Sequence, residues 1–334
     1  MPQNFNNGIS AFAGILNGNA DAQIEALWAY FSLGPGLPLP AGMEPPKGLI
    51  LKVTNRPEIL RTFMPDGAGT KAIAIGYPGG VNAVFDAEQC RLSYAWEGNF
   101  LDASPVWDNR GGAPAKLLGP KFYNAPHGNP WGLTSSRKVP DFAKRAGDYS
   151  YGSPVPLEKI YRGPRHVQFD SYTLDISGNP TFRYRVGNDA EKGEIVIADT
   201  PVPIKASVAS GISRRILAEV PANRTTWLNA GSTNGEPRIY APSGTKLAIN
   251  WKGSEPEAPA IGAKLVLPDG DRAMVLMLNA GPPDTVWQFV PKAGGGWSAI
   301  LRLPEPKDAA KFELQLSAWS LPRDEESLLN AIRK

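Results

Sequence analysis

From residue 49 onward this chain repeats one pattern, apolar and polar residues in alternation, with no long helical stretch between the alternating segments. In CRLSYAWEG, Cys90, Leu92, Tyr94 and Trp96 alternate with Arg91, Ser93, Ala95 and Glu97. A period of two puts successive side chains on opposite faces of an extended strand, so this segment is expected to be a half-buried strand with Cys90 in its apolar set. YTLDISGNPTFRYRV is expected to be a hairpin: Tyr172, Leu174 and Ile176 run into a turn at Ser177-Gly178-Asn179-Pro180, and Phe182, Tyr184 and Val186 run back. Further strands are expected at TKLAINW, AKLVL, AMVLML, TVWQFV, SAILRL and KFELQLSAW, with a hairpin turn at Pro268-Asp269-Gly270 between two of them. Strands that follow one another without long helices argue for a mainly β protein, an antiparallel β-sandwich. The 35 glycines and 33 prolines suit its many tight turns. No internal repeat indicates a propeller.

The two ends depart from this pattern. In NADAQIEALWAYFSLGPG, Ile24, Leu27, Trp28 and Phe31 share one helical face, Asn19 or Asp21 can cap the start, and Gly34-Pro35 stops the helix. Residues 34–48, GPGLPLPAGMEPPKG, form a Pro/Gly linker between residues 1–33, too short to fold alone, and the β-region at 49–334. RDEESLLNAIRK, with acids first and bases last, suits a short closing helix and its dipole. Within the β-region, residues 97–165 hold Trp107, Trp131 and little periodicity, which reads as a long functional or core-wrapping loop.

Charge and composition narrow the function classes. The net charge of +3 has no dense Lys/Arg run, so no nucleic-acid footprint is expected. No apolar run reaches the length of about 18 residues that a membrane-spanning helix needs. The start, MPQNFNNG, lacks the basic and apolar regions of a signal peptide, so export would depend on a longer parent. The one cysteine, Cys90, excludes an internal disulfide and is expected to be a buried, inert thiol. With only two histidines, His127 and His166, no histidine-rich metal site is expected. The chain has no C-x-x-C-H for attaching a haem.

Two stretches carry a resemblance. MPQNFNNGISAFAGILNGNADAQIEALWAYFSLGPG resembles the C-terminal end of a bacterial c-type cytochrome domain, where a Met-Pro supplies the axial haem methionine and a final helix carries an aromatic pair like Trp28 and Tyr30. RTFMPDGAGTKAIAIGYPGGVNAVFDAEQCRLSYAWEGNFLDASPVWDNRGG, continued by GNPTFRYRVG, resembles the β-rich region that follows such a domain in large secreted bacterial proteins. The resemblance implies that Met1 matches the axial methionine, and that haem c and electron transfer belong to a longer parent in the periplasm or outside the cell. The haem-attaching half is absent from this sequence, so no cofactor is expected in the chain itself.

The densest candidate cluster is AWEGNFLDASPVWDNRGG with its downstream neighbours: Glu97, Asp102, Trp107, Asp108 and Arg110, then His127 and Trp131. Aromatic faces, carboxylates and an arginine are the materials of sugar recognition. Glu97 and Asp102 would suit a glycosidase pair at the right separation. Against this, Trp96 lies in the apolar register and reads as core, and Asp102 reads equally as a turn or cap residue. Arg110 reads equally as a partner of Asp108, and His127 as an ordinary loop residue. Three functions stay open at this point: an accessory sandwich of a cytochrome protein that binds a glycan or a redox partner, a carbohydrate-active enzyme with a mutarotase-like sandwich, and a structural module of the cell envelope.

Overall fold

A computed structural model describes residues 49–108, 112–142, 167–188, 193–206, 209–251 and 256–322. The chain divides into two compact units, Met1–Leu49 and Ile50–Lys334, and the second is described below. Its first half contains β1 (Ile50–Leu51), β2 (Glu58–Met64), β3 (Gly69–Gly76), β4 (Val81–Asp86), β5 (Arg91–Glu97), β6 (Asn99–Asp102), a one-turn helix α1 (Ser104–Asp108), β7 (Lys116–Leu118), β8 (Lys121–Asn124) and β9 (Trp131–Thr134). Then follow β10 (Val167–Leu174), β11 (Pro180–Asn188), β12 (Gly193–Ala206), β13 (Ala209–Val220), β14 (Thr225–Thr233), β15 (Arg238–Tyr240) and β16 (Glu257–Pro259). The last five are β17 (Lys264–Asp269), β18 (Arg272–Ala280), β19 (Val286–Pro291), β20 (Trp297–Arg302) and β21 (Ala310–Pro322). The ladders between these strands are antiparallel, as the alternating pattern implied.

The spine is an eight-stranded sheet in the order β10-β11-β12-β13-β21-β18-β17-β15. Two five-stranded sheets, β2-β3-β4-β5-β8 and β16-β19-β20-β14-β9, share one apolar core with it. Phe182, Tyr184, Ile212, Ile216, Leu314 and Leu316 of the spine meet Ile73, Ile75 and Phe85 of the first sheet and Trp131, Leu228, Trp287 and Phe289 of the second. Phe85 stacks on Phe182 at 4.1 Å between ring centroids. A small sheet, β1-β6-β7, covers the far side of β2–β5 through a separate core of Met64, Val84, Tyr94, Trp96, Phe100 and Leu101. The first sheet is therefore buried on both faces, and this corrects the half-buried reading of β5, whose residues from Arg91 to Trp96 are all buried.

The alternation in β5 also breaks at one point. Val84 pairs with Tyr94 and Phe85 with Leu92, so Ser93 is an extra residue that inverts the register. Cys90 and Leu92 consequently belong to the core against the spine, while Tyr94 and Trp96 belong to the core under β1-β6-β7. Trp96 is core, and Cys90 is a buried free thiol in the turn before the strand.

Two other readings are revised. TKLAINW is not one of the strands: it makes a single bridge, Tyr240 to Lys246, and the Leu247 N–H donates to the Ile239 carbonyl at 2.8 Å, while Leu247, Ile249 and Trp251 still alternate inward against the main core. Trp251 lies 5.1 Å from Phe289 and 5.2 Å from Trp297 between ring centroids. The stretch read as one long loop from residue 97 contains β6, α1, β7, β8 and β9 instead. The expected helices within residues 19–36 and 323–334 lie outside the described residues, as do Met1, Arg110 and His166. Among the described residues no helix is long and apolar enough to cross a membrane.

Candidate functional site

Antiparallel hairpins place their turns at sheet ends, and three sheet ends meet around one opening. The β17–β18 turn, the β19–β20 turn, the end of β14, β8 and β21 enclose a cleft of about 490 Å³. Its polar lining comes from Lys121 and Asn124 on β8, Ser232 to Asn234 at the end of β14, Asp269, Asp271 and Arg272 at the β17–β18 turn, Lys292 and Ser320. Phe122, Ala125 and Met274 supply the apolar part. The β17–β18 turn is tight because Asp269 pairs with Arg272, leaving Gly270-Asp271 as a two-residue loop with Gly270 at φ 59°. On the opposite side Gly296 approaches the Thr233 carbonyl so closely that a Cβ there would stand 2.1 Å from it, so the β19–β20 turn packs directly on the end of β14.

The cationic side chains of the cleft are each held by a neighbour. Arg272 donates from Nε to Ser320 Oγ at 2.8 Å and from Nη2 to the Ser320 carbonyl at 3.1 Å. Lys292 Nζ donates to Asn234 Oδ1 at 3.1 Å. Lys121 Nζ pairs with Asp66 Oδ2 at 2.9 Å and lies 5.2 Å from the centre of the Tyr94 ring. The exposed carboxylates of Asp269 and Asp271 make no ion pair with any described residue, which leaves them as free acceptors at the rim. Asp66, just outside the lining, offsets Lys121, and the two rim carboxylates match Arg272 and Lys292 in number, so the cleft together with this neighbour is balanced in charge. Such a surface offers held donors and free acceptors together, which is what a hydroxyl group, donor and acceptor at once, requires.

The residues singled out in the sequence lie elsewhere. Trp107 on α1 is 58% exposed, with Asp108 exposed beside it. Asp102 ends β6 and caps that helix: its Oδ1 accepts the Ser104 N–H at 2.9 Å and the Ser104 hydroxyl. Those hydrogen bonds, with help from Lys116, hold its carboxyl below the usual carboxylate range. Glu97 is exposed at the end of β5, where its own N–H donates to the Pro120 carbonyl at 3.0 Å. His127 is exposed in the β8–β9 loop beside Gly67; partial burial and nearby Arg91 lower its imidazole pKa. Trp131 is fully buried, and its Nε1 donates to the Tyr184 hydroxyl at 3.0 Å, so no ring face is open to a ligand. Asp102, Trp107 and Asp108 thus gather at α1, while none of the described candidates lines the cleft. Of the cleft's own residues, only the Pro268-Asp269-Gly270 turn had a legible signal.

A second polar cluster is closed to solvent. Arg214 and Asp199 pair between β13 and β12, with Arg214 Nε 3.2 Å from Asp199 Oδ1. Burial works against the guanidinium charge, but Asp199 and Tyr123 more than offset it and hold the Arg214 pKa above its ordinary value. Tyr123 and Tyr184 are buried around the pair, and burial pushes both phenols up. Without an opening this cluster is a structural element. Among the described residues no three His, Cys, Asp or Glu side chains are grouped to hold a metal.

No family model matches the chain, and no curated protein matches it. Solved structures give remote likenesses. The galactosidase domain of alpha-galactosidase-sucrose kinase AgaSK is 8% identical at a TM-score of 0.37, over 79% of this chain and 42% of that one. The Slr1438 protein of Synechocystis sp. PCC 6803 is 10% identical at 0.30, over 72% and 92% of the two chains. A protein described as an aldose 1-epimerase from Escherichia coli K12 is 7% identical at 0.32, over 80% and 99%. Likeness at this level leaves the site to be argued from the chain's own residues.

Proposed function

We propose that this β-sandwich binds a neutral, polyhydroxylated ligand, a sugar or short glycan, in the cleft at the junction of its three sheets. The observation that carries this reading is the charge balance of the cleft with Asp66 beside it, in which Lys121, Arg272 and Lys292 are held as donors near the free acceptors Asp269 and Asp271. Sugar hydroxyls use both kinds of group, whereas an acidic ligand would meet the rim carboxylates unpaired.

Isothermal titration with D-glucose, D-galactose and D-glucuronate tests this. At least one neutral hexose should bind saturably and no more weakly than glucuronate, with little dependence on ionic strength. Arg272→Ala combined with Lys292→Ala should weaken binding about 10-fold or more, as loss of hydrogen bonds from charged donors does. Binding that survives the double substitution, glucuronate bound far more tightly than either hexose, or no binding by any of the three would overturn the proposal.

A second proposal concerns the leading residues. Their Met-Pro and terminal-helix pattern supports descent from a c-type cytochrome domain, with haem c and a redox partner belonging to a longer parent. An upstream reading frame encoding C-x-x-C-H and joining at Met1 would support it, and an upstream region without one would remove it.

A further inference from the structure

We infer that Arg91, which does not line the cleft, is the positioning residue for the cleft's β8 wall; the inference rests on the cleft being the ligand site. Arg91 begins β5 and is buried, with its side chain 3% exposed. Its guanidinium reaches three separate segments. Nη2 donates to the Gly67 carbonyl in the β2–β3 turn at 3.0 Å. Nη1 donates to the Pro126 carbonyl at 3.0 Å and approaches that of Ala125 at 3.5 Å, both just past β8. Nε stands 3.7 Å from Asp86 Oδ2, and Asp86 Oδ1 in turn accepts the N–H groups of Glu88 and Gln89.

Two of these contacts lead to the cleft. Asp66, the partner of Lys121, sits at φ 57°, a left-handed conformation, and Gly67 follows at φ 79°. That turn is pinned on both sides of Asp66: Tyr94 donates its hydroxyl to the Pro65 carbonyl at 3.0 Å, and Arg91 holds Gly67. The Asp66 carboxylate is thereby aimed at the Lys121 ammonium, a cleft residue. The other contact holds the backbone at Ala125, which also lines the cleft. Gln89 adds to the same tie, since its Oε1 accepts the Gly128 N–H at 2.8 Å. One planar fork thus fixes both the counter-charge of Lys121 and the wall that bears it, which a single ammonium could not do.

The test reads Lys121 directly and needs no ligand. The full chain is labelled under native conditions with limiting acetic anhydride, and peptide masses give the acetylation rate of Lys121 against that of Lys292. Lys292 lies across the same cleft and is held by Asn234, outside the Arg91 contacts. Arg91→Met should raise the Lys121 rate several-fold with the Lys292 rate unchanged. Arg91→Lys keeps a cation beside Asp86 but loses the fork; it should give an intermediate, equally selective rise, and it serves if Arg91→Met does not fold. No change at Lys121 in a folded variant, or an equal rise at both lysines, would overturn the inference. A selective rise in a protein that binds no hexose would leave the positioning role standing and remove the sugar reading.

Discussion

At the residue scale, Trp107 and Trp131 show how little a side chain's identity says about its role. Both are tryptophans in the same weakly periodic stretch, yet one is 58% exposed and the other is sealed between sheets with its indole N–H satisfied by Tyr184. The partner is 53 residues further along the chain, so nothing local marks the difference. Trp131→Ala should cost about 3–5 kcal/mol in urea unfolding, as a large core truncation does, while Trp107→Ala should stay within about 0.5 kcal/mol. Comparable costs for the two would contradict the burial described. The Arg214–Asp199 pair was equally illegible, because polar residues in a strand normally face water. Arg214→Met alone should destabilise by about 3–5 kcal/mol, since it strands a buried carboxylate. Combining it with Asp199→Leu should recover much of that loss, and a double variant no more stable than the single one would count against a buried pair.

At the element scale, alternation made β10, β11 and β17 to β21 legible, but it also marked TKLAINW, which is not a strand, and left β13 unmarked despite its alternating burial. β17 to β21 follow their apolar pattern closely, and the β10–β11 hairpin forms with Gly178 at φ 87° in its turn. β12 was not legible because Pro201 and Pro203 interrupt it, and proline is rare inside sheets. Its pairing with β11 ends at Asp199, so both prolines lie where only β13 is a partner and no second ladder is lost. The Pro201 carbonyl on that stretch accepts the Tyr77 hydroxyl. The inversion at Ser93 was hidden for the opposite reason: both faces of β5 are buried, so apolar alternation could not reveal which core each residue entered. Gly119 is a further constraint at this scale, since a Cβ there would stand 1.7 Å from the Glu97 carbonyl oxygen, where the β7–β8 connection crosses the end of β5. Gly119→Ala should lower stability by more than about 1 kcal/mol by forcing the two segments apart, and a neutral effect in thermal unfolding would show that the crossing is looser than described.

At the scale of the whole molecule, sheet order carries what the sequence could not. β21, the last described strand, inserts between β13 and β18, and that insertion brings Ser320 to Arg272 and closes the cleft. Period-two patterning specifies strands and faces but not which strand lies beside which, so an antiparallel sandwich was legible and a site assembled from five distant segments was not. The fold also has a global pH signature. Burial, outweighing Arg91 and the N–H groups of Gln89 and Glu88, pushes the Asp86 carboxyl up to about 6. A raised carboxyl favours the folded state when protonated, so its contribution is fully present below the ordinary value of 3.8 and is lost as pH rises through about 6. The lowered imidazole of His127 acts in the opposite sense, contributing above its ordinary value of 6.5 and losing this as pH falls. The stability difference between wild type and Asp86→Asn isolates the carboxyl: it should shift toward wild type as pH falls from about 7 to about 5, and a constant difference would contradict the burial of Asp86.

The most direct measurement of the central claim is a crystal structure of the chain soaked in a neutral hexose identified by titration. The account predicts density for one sugar ring in the cleft, within hydrogen-bonding distance of Arg272, Lys292 and at least one of Asp269 and Asp271. Sugar density on Trp107 at α1, with the cleft holding only solvent, would contradict it.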